Sequence, residues 1–110
     1  MNDDSLPLYS TLASDSDLQE IIRLFVDEMP CRTVVFETHL ASGNRAELVR
    51  VAHQLKGAAG SHGFATLSRA AAELESAIKS EADQETIAAA VANLVALCHR
   101  VTTLSAPTSE

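Results

Sequence analysis

Residues 52–75 read AHQLKGAAGSHGFATLSRAAAELE, and the fold turns on how that stretch is divided. Ala52, Leu55 and Ala59, with Leu48 one turn earlier, recur at spacings of three and four, the period of one helix face. Gly63 breaks the run. Phe64, Leu67, Ala71, Leu74 and Ile78 then take up the same rhythm to about Ser80. The reading is two amphipathic helices joined by a tight glycine turn. One feature does not follow from helix formation. A chain rich in helix formers sets His53 beside Lys56 and the glycines 57, 60 and 63, although each glycine costs a helix roughly 0.8–1 kcal/mol relative to alanine.

Upstream, Gly43-Asn44 is a stop followed by a start, glycine suiting a helix C-terminus and asparagine an N-cap. Glu47, three residues after Asn44, completes an expected capping box, so this helix runs from Arg45 to Ser61. Earlier still, Ser16 and Gln19 form a second expected capping box. Leu18, Ile21, Ile22, Phe25 and Met29 follow as one stripe. Pro30 interrupts, either kinking a long helix or opening a new one, and Thr33, Phe36 and Leu40 continue on one side to Ser42. Downstream, a last helix begins near Asp83 with Ile87, Val91, Leu94, Cys98 and Val101 as its stripe.

Each stripe is one-sided and must be buried against the others. The expected fold is all-α: an antiparallel up-down four-helix bundle with a short preceding N-terminal helix or helical segment. Residues 1–13 read as a flexible arm, 14–104 as the bundle and 105–110 as a polar tail.

The 110 residues are enough for one domain. They are 46% hydrophobic but only 4% aromatic, which suits close helix packing through small residues. Fifteen acidic against eight basic residues give a net charge of −7, which argues against binding nucleic acid or an anionic membrane. Residues 45–56 stand out locally, with Arg45, Arg50 and Lys56 against Glu47. Cys31 and Cys98 have no metal-ligand spacing and are expected to be buried, reduced thiols. The N-terminus has no signal pattern and no apolar run approaches a spanning length of about 20 residues, so a cytoplasmic protein is expected.

Advancing about 100° per residue from Leu48 puts Ala52, Leu55 and Ala59 within about 40° of it, on the buried face. His53 falls about 140° round, Gly60 about 120° and Gly57 about 180°, with Arg50 near 200° and Lys56 near 80°. His53 is therefore expected in solvent. Glycines beside an exposed imidazole clear a shallow surface that a partner's loop can enter. Helix termination explains Gly63 well, Gly60 fairly and Gly57 poorly.

These residues resemble the histidine-containing phosphotransfer (HPt) domain of bacterial multistep phosphorelays. The family pattern, loosely aHxLKGxxxxxG followed by L, small residues and LE, is met by Ala52-His53, Leu55-Lys56-Gly57, Gly63, Leu67 and Leu74-Glu75. Asn44 stands where the family commonly has Asp. The resemblance covers Ser16 to Leu104 and implies that His53 is the phosphoacceptor, through an exposed Nε2. It implies that Lys56 offsets charge on the phosphoryl oxygens and that Gly57 and Gly60 leave room for the donor. Arg50 and Gln54 would contribute to binding. The implied partners are the receiver domain of a hybrid sensor kinase and a response regulator, with Mg²⁺ on the receiver and no cofactor of the chain's own. A monomer is expected. An imidazole is mostly neutral and nucleophilic at cellular pH, and phosphoryl transfer asks for little beyond positioning and charge stabilisation.

The chain has no GxxxxGK[ST], and its glycines are spaced wrongly for GxGxxG, so a relay rather than a kinase is expected. His39, His62 and His99 read as structural or incidental, and the ExxH repeats of di-iron bundles are missing. The alternative is a docking module of the same fold that binds a receiver-like partner without carrying phosphate.

Overall fold

The computed structural model describes residues 6–104. Four helices make up the body: α1 (Gln19–Ser42), α2 (Arg45–Ser61), α3 (Ala65–Lys79) and α4 (Gln84–Cys98). Two-residue strands flank them, β1 (Leu8–Tyr9) and β2 (Val101–Thr102). The core draws on every helix, with Ile22, Phe25, Met29 and Phe36 from α1, and Leu48, Leu55, Leu67, Leu74, Ile87 and Leu94 from the other three. Burying each of these is worth about 1.5–3 kcal/mol. Ala52, Ala59, Ala70 and Ala71 are also buried. Having no side chain beyond Cβ, they let α2 and α3 approach closely, and this is the most extensive helix contact.

The connections follow their local chemistry. Gly43 ends α1 at φ 71°, a left-handed conformation that glycine adopts without penalty. Asn44 Oδ1 accepts from Glu47 N at 3.1 Å and Asp83 Oδ1 from Thr86 N at 2.9 Å, capping α2 and α4. The reciprocal half of the Asn44–Glu47 box does not form, because the Glu47 carboxylate pairs with Arg50 instead. Gly63 turns the chain at φ 83°, and a Cβ there would lie 2.5 Å from Ser10 Oγ and 2.8 Å from Thr11 Oγ1.

Several expectations need correction. The two segments around Pro30 are one helix, so no separate short helix precedes the bundle among the described residues. Pro30 deprives α1 of one backbone hydrogen bond, at about 3 kcal/mol. Phe25, Met29, Thr33 and Phe36, buried on either side of it, hold the helix to the core regardless. The Ser16–Gln19 box is not made: Leu18 is the N-cap and has no side-chain cap, while Gln19 Nε2 donates to Ala13 O. Ile21 is half exposed rather than part of the stripe, and Val101 belongs to β2. Cys98 is buried, which pushes its thiol up to about 12, but Cys31 is exposed.

Residues 8–11 pair with the chain just past the ends of α2 and α4. Strands β1 and β2 pair in parallel, Leu8 opposite Val101 and Tyr9 opposite Thr102. Ser10 Oγ donates to His62 O at 2.6 Å, and Thr11 N to Gly63 O at 3.0 Å. The arm's first five residues and the tail 105–110 lie outside the described residues.

Candidate functional site

His53 sits mid-way along α2 with its side chain 66% exposed. Its Nδ1 lies 2.9 Å from Oε2 of Glu75, which reaches across from α3. The Glu75 side chain is only 6% exposed, so a carboxylate is buried directly beneath an exposed imidazole. Two lysines neutralise it: Lys56 Nζ lies 2.8 Å from Oε1 and Lys79 Nζ 3.0 Å from Oε2. A buried charge of this kind is stable only when paired and hydrogen-bonded. The Lys56 and Lys79 ammoniums, helped by His53, outweigh desolvation and hold the Glu75 carboxyl down at about 2.

The ionised carboxylate fixes the imidazole's chemistry. It can only accept, so the proton of the His53–Glu75 hydrogen bond rides on Nδ1. In the neutral ring the lone pair then belongs to Nε2, on the edge away from the buried carboxylate. An exposed, oriented nitrogen nucleophile results.

The helices place these groups by spacing. Lys56 is one turn from His53 on the same side of α2, and Lys79 is one turn beyond Glu75 on α3. Glu75 follows Ala71 at i+4, beside the α3 core residues Leu74 and Ile78. Ser68 Oγ donates to Lys56 O at 2.8 Å, pinning α3 to the α2 backbone next to the site.

The other expected residues divide between two sides of α2. Gly57 is exposed, and a Cβ there would meet no atom within 4 Å. Gly60 is less free, since its Cβ would lie 3.4 Å from Ser68 Oγ, so close helix packing accounts for part of its presence. Arg50 is held by Glu47 at 2.6 Å. With Gln54 it lines a cleft of about 410 Å³ shared with Glu28, Cys31, Arg32 and Val35 of α1. Neither residue contacts Glu75. Lys56 reaches the carboxylate rather than standing free beside His53 Nε2.

Glu75 as the ring's partner, and Lys79 as the second cation, escaped the sequence reading. Glu75 stood in the quoted motif without a role, and its partnership with His53 depends on how α2 and α3 pack. Of the other histidines, His62 stacks on Phe25 with ring centroids 4.6 Å apart, and its Nδ1 lies 2.6 Å from Ala58 O. Among the described residues no group of three or more His, Cys, Asp or Glu is disposed to hold a metal. No described helix is long and apolar enough to cross a membrane.

No curated protein and no solved structure matches the chain. The family described as Hpt domain matches residues 20–106, from the first turn of α1 past β2, and so takes in both sides of the His53–Glu75 pair. A four-helix body with an exposed, carboxylate-oriented histidine agrees with that match, and the chain belongs to the Hpt domain family, whose members carry phosphoryl groups on histidine in phosphorelays.

Proposed function

We propose that His53 Nε2 accepts a phosphoryl group from an aspartyl phosphate on a receiver domain and passes it to a second receiver, that of a response regulator. The observation that carries this reading is the exposed ring held through Nδ1 by a buried, ionised Glu75. The Nε2 lone pair forms the N–P bond as the P–O bond to the aspartate breaks, its electrons leaving on the carboxylate. Nδ1 keeps its proton, so the phosphorylated ring gains a positive charge, which the Glu75 carboxylate beneath it opposes. The return step reverses this onto another aspartate. Mg²⁺ belongs to the receiver and supplies charge neutralisation there.

Gly57 gives the incoming domain clear access beside the ring. The cleft between α1 and α2, with Arg50, Gln54 and the exposed Val35, offers footing next to it. The connections 43–44, 62–64 and 80–83 are short, which favours an up-down antiparallel order of the helices. We take the protein to act as a monomer in the cytoplasm.

The test is phosphate acceptance. The chain is incubated with receiver domains already phosphorylated on aspartate, and its intact mass and the acid lability of any gain are followed. A gain of one acid-labile phosphate, lost in His53→Gln, is the expected result. Binding to a receiver with no gain of mass would make the chain a docking module instead.

A further inference from the structure

Two ammonium groups share the one carboxylate of Glu75, Lys56 on Oε1 and Lys79 on Oε2. One lysine is enough to neutralise it. The second leaves a surplus positive charge at the foot of the His53 ring, in a chain whose net charge is −7. The two lysines are not equivalent. Lys56 springs from the histidine's own helix, three residues on, with its backbone carbonyl pinned by Ser68. Lys79 springs from α3 and shares Oε2 with His53 Nδ1, one turn from Glu75. Their side chains are 38% and 67% exposed, so both stems have room to move.

We infer that Lys79 is a positioning residue that keeps Glu75 ionised and His53 oriented while Lys56 leaves the carboxylate for the phosphoryl group. This rests on the proposed transfer to His53. A phosphoryl group on Nε2 brings roughly two negative charges to the outer edge of the ring. Lys56, on the same face of α2, then has a second and more highly charged anion within reach. If it were the only lysine on Glu75, moving would leave the buried carboxylate with the His53 ring as its one partner, and the lost ion pair would hold it in place. With Lys79 on Oε2, the oxygen that holds Nδ1 keeps its counter-charge throughout. The exchange breaks one ion pair and makes another, with no net loss of pairing. Glu75 remains acceptor-only, so Nδ1 remains the protonated nitrogen in both states.

The experiment uses the whole chain and phosphoramidate, a small N-phosphoryl donor, so that no receiver need be identified. Lysine ammonium and histidine ring ¹⁵N resonances are followed in the wild type, Lys79→Met, Lys56→Met and Lys79→Arg, with melting curves to verify folding. On phosphorylation of the wild type, the Lys56 resonance is expected to move and that of Lys79 to stay, with Nδ1–H still hydrogen-bonded. Lys79→Met should be phosphorylated about three- to fivefold more slowly, the scale of one partly exposed ion pair. It should also lose the protected Nδ1–H signal once phosphorylated. Lys56→Met should keep that signal, and Lys79→Arg should restore both rate and signal. A Lys79 resonance that moves while Lys56 stays, or a phosphorylated Lys79→Met that keeps its Nδ1–H, overturns the inference while leaving the relay intact. A wild type phosphorylated elsewhere, or not at all, overturns the transfer to His53 and the exchange with it.

Discussion

His53 and His62 lie nine residues apart, one within α2 and the other capping its end, and share almost nothing else. The first has an exposed ring whose Nδ1 is held by a carboxylate from another helix. The second is half-buried, stacked on Phe25, with Nδ1 on the carbonyl of Ala58 four residues back and its own carbonyl taken by Ser10. One ring is oriented so that its outer nitrogen is free. The other ring is stacked between α2 and α1, while its residue's backbone carbonyl holds the N-terminal arm. Chemical availability, then, comes from what holds the ring rather than from the residue type.

The sharpest way to break this comparison is to remove each ring. His53→Gln is expected to abolish phosphate acceptance, read by intact mass, while leaving the melting temperature within a few degrees of wild type. A variant that unfolds would mean that His53 belongs to the core. Next in size is the turn beyond His62. Gly63→Ala forces a side chain into a left-handed conformation and against Ser10 and Thr11, at about 2–4 kcal/mol. Chemical denaturation should show that loss, and an unchanged midpoint would mean the arm is not seated as described. His62→Ala removes the stack on Phe25 and one hydrogen bond, about 1–2 kcal/mol in all, with phosphate acceptance intact. In a domain of this size that lowers the melting temperature by roughly 4–16 °C.

A subtler contrast is electrostatic. Glu75 titrates at about 2 in the folded protein against an ordinary value near 4.5. Its pairing therefore stabilises the fold fully above about 4.5. As pH falls below that, the unfolded chain takes up the proton first, and the contribution is gone once pH drops through about 2. Glu75→Gln should lower stability at pH 7 and flatten its pH dependence between about 4.5 and 2, measured by urea midpoints across that range. A slope equal to the wild type's would remove Glu75 from the acid response. The smallest effect is expected at Gly57, where the open surface accepts Leu without unfolding and only transfer from a receiver slows. Unaltered transfer would leave that glycine without a steric role.

The helical periodicity was legible because each stripe is a local consequence of a 3.6-residue repeat, and α2 starts and stops, and α3 and α4 start, close to where Asn44, Gly63 and Asp83 indicate. Pro30 left one long helix and a new helix both open, because the proline rule weighs one lost hydrogen bond; core side chains on both sides of it decide for one helix. The Ser16 box misled because Ser and Gln three apart are a common pairing, and only the docked arm decides whether they cap. The same arm brings Leu8 and Tyr9 to residues 101 and 102, a contact across nearly the whole chain that no local pattern announces.

The sequence by itself determined a helical chain, a histidine on the outer face of its second helix, and a neighbouring surface stripped by Gly57, because these depend only on spacing along one element. The tertiary structure decided what the histidine can do. Glu75 reaches it from α3, with Lys79 on the same carboxylate oxygen, only because small residues let α2 and α3 pack closely, and a buried carboxylate chooses its partners through space. Lys56, which the resemblance assigns to offsetting phosphoryl charge, is engaged with that carboxylate for the same reason.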